Sequence, residues 1–425
     1  MTSLISSFCL LVLGGIVALL LVLDAAGLWA LVTGYFELRR RLSSTSNDFA
    51  SVLLKSPLVP GVSVIDTPPT ASPEARARLR GLLDLHFAKH EVVLVLDGPA
   101  PDELAVWIEE FHLTPVERSR HKLVPAAEVR GLYCSPDPVK LMVVEKERGG
   151  EADALNAGVN AAQYPVLGLV NRDAEFIPEL LLHLVRPMLE DPDGVFGVCA
   201  MAPPAPSPGL GGYVGAIESV RLWLVRCAAF SAWNHLMPVP GSSCLLRRDV
   251  VVEAGGFRGA ADSVFAQIYS SPPSGLGARA AFVARRVSWP AALQSWSELR
   301  RRAQSDQRRL AGLLQRYGWS AGITTRGLFV ARILRPLLET IALLLAGVGL
   351  ALGWFGWPMA GLVLVASVGF GFVLSMTAAV LREFADPSIR EPAQLAALFL
   401  AAIPENLGYR QVRNLWLIAA SFGGK

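Results

Sequence analysis

Charged side chains are scarce in this chain of 425 residues. Lys, Arg, Asp and Glu make up 18% of it, against about 25% in an ordinary soluble domain. The charges present nearly cancel, with 39 basic and 36 acidic residues and a net charge of +3. The overall balance therefore gives no field for nucleic acid and no excess that would draw an acidic partner. Cysteine is rare as well: five residues (Cys9, Cys134, Cys199, Cys227 and Cys244) with no CxxC pair and no metal-ligand spacing. That excludes a zinc ribbon or a cysteine-stapled framework, and it suits a reduced, cytosolic setting for the soluble part. No internal repeat is visible. No basic residue precedes the first apolar run, so the start does not read as a signal peptide.

Apolar sequence is what the chain has in abundance. Hydrophobic residues reach 52% and mean hydropathy is +0.42. From Leu4 to Val32 the only charge is Asp24, and the run exceeds the roughly 20 residues needed to cross a bilayer. Asp24 is costly in lipid, so it is expected at a headgroup level or facing another helix. Arg39-Arg40-Arg41 follow the run. The excess of Lys and Arg on cytosolic flanks then places the residues before it outside and those after it in the cytosol. Two further runs, Pro336 to Leu352 and Pro358 to Val380, form a helical hairpin joined by Gly353-Trp354-Phe355-Gly356-Trp357. Arg332 and Arg335 before it, and Arg382 and Arg390 after it, put both ends in the cytosol. Leu395 to Ile403 is too short to span. With Tyr409 to Phe422 it reads as amphipathic helix on the cytosolic face, a third carboxy-terminal span being the alternative. The expectation is a multi-pass protein of the inner (plasma) membrane, in contact with lipid, its main domain cytosolic.

Between about Pro60 and Gly318, strand-like and helix-like stretches alternate. Val62 to Ile65, Glu91 to Leu96, Leu141 to Val144 and Val166 to Val170 read as strands. Pro73 to Phe87 and Ala152 to Ala162 read as helices. Ile217 to Phe230 reads as an amphipathic helix, either near the membrane surface or packed in a core. Strand, helix, strand in this order predicts an α/β fold with a mainly parallel sheet and helices on both faces. Ligands of such sheets bind at the carboxyl ends of the strands. Asp97 and Asn171-Arg172-Asp173 fall at that edge, although any such sheet ends its strands in polar turns.

Several segments, in order, resemble family 2 glycosyltransferases. Gly149 to Gly158 (GGEADALNAG) is similar to the family's GGKADALNAG, and Glu91 to Pro99 (EVVLVLDGP) to EVIVVNDGS. Asn171 to Pro178 (NRDAEFIP) stands where members carry DADSLLEP. Arg247-Arg248-Asp249 through Gly255-Gly256-Phe257 resembles RRDAVxEVGGY, and Glu405 to Gln411 (ENLGYRQ) resembles ENFGYRQ. The likeness extends to membrane-bound members such as synthases of poly-N-acetylglucosamine and related surface polysaccharides. It implies a nucleotide-sugar transferase fold and inverting transfer from a nucleotide-diphosphate sugar. Such transfer needs a carboxylate base and a Mg²⁺ or Mn²⁺ at the leaving diphosphate.

The resemblance assigns Asp97, Asp153 and Asn156 to the nucleotide. It assigns Asp173 to the metal, with Asn171 as a weak neutral ligand, and Asp262 to the base. Asp153 also reads as an exposed helix carboxylate, and Asp262 as a helix amino-terminal cap. Other positions depart from the family. Pro68-Pro69-Thr70 replace the YNE-type turn, Glu151 replaces the lysine of GGKAD, and Asn171 replaces the first acid of DxD. Ala261-Asp262 stand for ED, and none of the QxxRW residues is kept at 302–306. The neighbouring Arg300-Arg301-Arg302 are expected to face phospholipid or solvent. Losing one transition-state stabiliser commonly costs about a hundred- to a thousand-fold in rate. The expectation is therefore a weakly active or inactive relative that partners a second polysaccharide-synthesis protein. An active transferase and a membrane scaffold without nucleotide binding are the alternatives. The domains expected are 1–41 (membrane helix and basic flank), 42–330 (cytosolic transferase-like), 331–390 (hairpin) and 391–425 (interfacial helices).

Overall fold

The structure, a computed structural model, describes residues 2–43, 59–117, 122–136, 140–172, 174–200, 202, 206–238, 242–259, 261–271, 279–284, 287–290, 295–317, 322–385 and 392–422. Asp173 and Arg390 lie outside the described residues, and for Asp262 only the backbone is described. The chain divides into two compact units. One comprises Arg41–Ala202 and Trp233–Ala291, the other Met1–Arg40, Pro203–Ala232 and Ala292–Lys425.

The first unit holds the strands β1 (Val62–Asp66), β2 (His90–Asp97), β3 (Thr114–Pro115), β4 (Val129–Cys134), β5 (Leu141–Lys146), β6 (Val166–Leu169), β7 (Ala174–Phe176), β8 (Val195–Ala200), β9 (Ser243–Arg247), β10 (Arg279–Val283) and β11 (Ser288–Pro290). Nine form one sheet in the order β10-β8-β9-β6-β1-β2-β5-β4-β3, and β11 pairs with β7 apart from it. The central pairs β6-β1, β1-β2 and β2-β5 are parallel, while β9 and β4 run against their neighbours. Alternation along the strands sends side chains to both faces. Val62, Val64, Val92, Leu94, Leu141 and Val143 join one core with residues of helices Pro73–Leu83, Pro101–Phe111 and Leu180–Glu190. On the other face lies helix Glu151–Ala161. A Cβ at Gly158 would fall 2.5 Å from Ile65 Cγ2, so this glycine lets the helix seat against β1. The sheet is thus mixed but mostly parallel, with helices on both faces.

The second unit is helical. Helix Thr2–Ser43 and two further stretches contain candidate spans, Ser6–Leu42, Thr325–Ala351 and Trp357–Phe384. Helix Pro392–Pro404, at 13 residues, is shorter than the roughly 20 needed to cross. Its Leu398, Ala401 and Ala402 pack against Ala216, Ile217 and Ala379. Asp24 faces another helix, since its Oδ1 accepts from Arg335 at 2.5 and 2.8 Å. Among the described residues, three π-helical segments interrupt the regular turns, at Trp223–Ala229, Val330–Leu334 and Val365–Gly369, and the segment Glu405–Tyr409 is a kink between two helices, with non-helical backbone at Leu407 and Gly408.

This division departs from the sequence-based stretch 42–330. Residues 203–232 and those from 292 onward cluster with the helical unit, because their charged side chains find partners there. The Glu218 carboxylate accepts from Arg413 at 3.1 Å and from the Tyr409 hydroxyl at 3.0 Å. Asp306 accepts from Arg332 at 2.6 Å and Arg226 at 3.3 Å. Arg221 lies 3.1 Å from Glu405. Burial opposes the Glu218 charge, but Arg413, Arg332 and Arg221 prevail and hold it down at about 2. Within Arg300-Arg301-Arg302 the first two are exposed, as expected. Arg302 turns inward instead, its Nη2 closed off from solvent.

Candidate functional site

The parallel order β6-β1-β2-β5 brings four strand ends to one edge: the turn at Asn171-Arg172, then Asp66, Asp97 and Lys146. A cavity of about 440 Å³ opens there, within the size range of small-molecule sites. Thr67 to Ala71 form part of its wall, and Asp97, Gly98, Glu103, Arg148, Glu151 and Arg172 supply most of its polar groups. A larger cavity of about 670 Å³ in the same unit is walled by mid-strand Met142 and Val144 and by Ala157 and Ala161 near the helix end. None of the carboxyl ends of the parallel strands β6, β1, β2 and β5 lines it, so the 440 Å³ cavity is the candidate site.

Asp97 is placed by register, opposite Lys146 on β5. Its Oδ1 accepts from Lys146 Nζ at 2.5 Å and from the Gly149 amide at 2.8 Å, and its Oδ2 accepts from the Gly150 amide at 2.8 Å. Burial alone would raise this carboxyl. Lys146 and the two amides outweigh it and hold Asp97 below the usual carboxylate range. Lys146 is fully buried and also lies 2.7 Å from Asp153 Oδ1. Asp153 accepts in addition from the Ala127 amide, at 3.0 and 3.1 Å. The two carboxylates thus flank one ammonium, and the Gly149-Gly150 loop wraps around Asp97.

Asn156 is buried among backbone groups. Its Nδ2 donates to Pro125 O at 3.0 Å and Phe257 O at 3.1 Å, and its Oδ1 accepts from the Phe257 amide at 2.7 Å. That ties helix Glu151–Ala161 to the loop after the helix Arg248–Glu253. Glu151 begins its helix, exposed, where a helix amino terminus favours a carboxylate. Asp262 lies in the first turn of helix Ala261–Ser270.

Sequence reasoning passed over Lys146, Arg78 and Arg148. Arg78 donates to Val170 O at 2.7 Å and Arg172 O at 3.1 Å, and lies 3.5 Å from Asp66. It thereby stitches the end of β1 to the turn after β6. Burial drives the Asp66 carboxyl above its ordinary value, against the pull of Arg78 and Arg172. Arg172 donates to Thr67 O at 3.2 Å. Lys146 and Arg148 are signalled in the sequence by their closeness to the end of β5, whereas Arg78, in mid-helix, carries no such signal.

A divalent cation does not fit the described groups at this edge. Asn171 offers a neutral oxygen, and the Arg172 guanidinium beside it repels a second cation. Asp97 already accepts from three donors. Among the described residues, no group of three His, Cys, Asp or Glu side chains is arranged to hold a metal.

Residues 72–251 match the sequence profile of glycosyl transferase family 2. This chain carries a family 2 glycosyltransferase-like domain. Its fold is similar to that of the mannosyltransferase PcManGT from Pyrobaculum calidifontis, solved in complex with GDP-Man and Mn²⁺. The two share 18% identity with a TM-score of 0.53, covering 93% of this chain and 99% of that one. Glucosyl-3-phosphoglycerate synthase from Mycobacterium tuberculosis, in complex with Mn²⁺, uridine diphosphate and phosphoglyceric acid, aligns at 16% identity and a TM-score of 0.40. That alignment covers 63% of this chain and 82% of that one. At 18% identity the likeness to PcManGT is one of fold. No match is found among curated proteins.

Proposed function

We propose that this protein is a membrane-embedded member of a surface-polysaccharide system that binds a nucleotide-diphosphate sugar weakly. On this reading it transfers sugar poorly or not at all, and it acts by partnering a catalytically complete relative in the inner membrane. The observation that carries the proposal is the state of the strand-end carboxylates. Asp97 and Asp153 are engaged by Lys146 and by backbone amides of their own unit. Glu151, Asn171 and Arg172 stand where transfer chemistry needs a cation, an acid and room for a metal. The family-like tail is retained for packing: Arg410 donates to Asn406 and pairs with Glu339. Shape kept with chemistry lost is what a partner protein requires.

An active inverting transferase is the second reading, favoured by Asp262 at the position of the family's base. One genetic comparison separates them. Asp262→Asn is expected to leave cellular polysaccharide unchanged at normal protein level, whereas deletion of the gene alters it. Loss of polysaccharide in Asp262→Asn would establish an active enzyme. An unchanged deletion strain would remove the partner role.

A further inference from the structure

We infer that the diphosphate charge in the strand-end cavity is met by the guanidiniums of Arg172 and Arg148, with no divalent metal. The inference rests on the nucleotide-binding reading above and adds the device by which the phosphates are held.

Four observations lead to it. First, Arg172 lines the cavity and is fixed from both sides. Its guanidinium donates to Thr67 O, and its own carbonyl accepts from Arg78, which also holds Val170 O. One donation of five leaves Arg172 donors for phosphate oxygens. Second, Arg148 is seated by a glycine. Gly98 has φ +67°, and a Cβ there would lie 2.9 Å from Arg148 Cβ. The bare turn after β2 therefore lets Arg148 cross it and line the same cavity.

Third, the described acids at the strand ends themselves are committed to other cations. Asp97 holds Lys146, and Asp66 lies buried against Arg78. Neither is available as the hard oxygen ligand that Mg²⁺ or Mn²⁺ requires. Fourth, a cation placed between Asn171 and Arg172 would meet like charge, whereas a diphosphate there meets opposite charge. Planar guanidiniums are suited to phosphate, often through paired hydrogen bonds.

Glu151 and Glu103 share the cavity wall and oppose an anion. The Glu103 carboxylate accepts from the Ala100 amide at 3.3 Å, so Glu151 is the stronger brake. The device therefore gives weak binding that is independent of metal and improves when Glu151 loses its charge.

The test uses the full-length protein in detergent and titrates UDP and GDP by calorimetry, in EDTA and in Mn²⁺. The expected result is binding of at least one diphosphate in EDTA, with affinity changing less than about threefold on adding Mn²⁺. Arg172→Gln and Arg148→Gln should each weaken that diphosphate roughly tenfold or more, and Glu151→Gln should tighten it. Among the described residues the Arg148 side chain makes no hydrogen bond to backbone, so Arg148→Gln serves if Arg172→Gln lowers the melting temperature. Tightening of tenfold or more with Mn²⁺ would overturn the inference and leave the nucleotide reading standing. So would unchanged affinity in both arginine variants. If neither diphosphate binds the wild type or Glu151→Gln under either condition, the nucleotide reading falls and the inference falls with it.

Discussion

A single buried ammonium organises the strand-end edge. Lys146 is the last residue of β5 and fully buried, with Asp97 and Asp153 as its partners at 2.5 and 2.7 Å. Removing one member of a buried charge group leaves the others uncompensated. Both carboxylates keep partial exposure, 23% and 25%, so water recovers part of the loss. Lys146→Met is therefore expected to cost about 3 kcal/mol, toward the low end for such changes. The measurement is the melting temperature of the purified protein, and an unchanged value would remove Lys146 from this role. Sequence reading reached Asp97 through the strand-end segment Glu91 to Pro99 and Asp153 through the glycine-rich motif. It passed over Lys146 because a lysine at a strand end ordinarily reads as a surface charge, and only the register of β2 against β5 turns it inward.

The helical elements meet through charged junctions carried on irregular turns. Two π-segments contribute Arg226 and Arg332, and the kink at Glu405–Tyr409 contributes Glu405, Asn406 and Tyr409. π-turns inside helices often mark functional or strained positions, and here they turn polar side chains toward one another. Gly371 belongs to the same device, because a Cβ there would fall on the Arg410 guanidinium. Glu218 sits at the centre, its carboxyl held at about 2 against an ordinary 4.5. A depressed carboxylate contributes stability that is full above its unfolded value and lost as pH falls through the folded one. The junction should therefore be intact above about pH 4.5 and weaken between there and about pH 2, by about 3 kcal/mol from this group. Thermal melts across that range check it. Glu218→Gln should flatten the profile, and an equally steep acid loss in that variant would exclude Glu218 as its source.

At the scale of the whole molecule, the expected topology puts residues 42–330 on the cytosolic side. Arg39 to Arg41 carry that expectation more cleanly than Arg332 and Arg335. The latter are engaged by Asp306, Glu218, Asp24 and Glu339 inside the helical unit, so part of their charge is balanced before any lipid is met. A cysteine placed at exposed Asp102, in a background lacking the five native cysteines, should resist an impermeant thiol reagent applied to intact cells and react after lysis. Labelling of intact cells would reverse the topology.

The amino-acid order alone determined the apolar runs, the α/β alternation and the family likeness, because each is local and periodic. Helix lengths, strand runs and the glycine motif are read along the chain. The same order marked Glu151, Asn171 and the missing QxxRW residues as departures, since a motif is compared position by position. It singled out Asp24 and left two environments open for it. Only the tertiary structure decided which carboxylates are already satisfied, that Asp24 meets Arg335, and that residues 203–232 and those from 292 onward cluster with the candidate membrane-spanning helices. The reason is physical. A charge's partner is set by strand register and helix packing between residues far apart in sequence: 49 positions separate Lys146 from Asp97, and 311 separate Arg335 from Asp24.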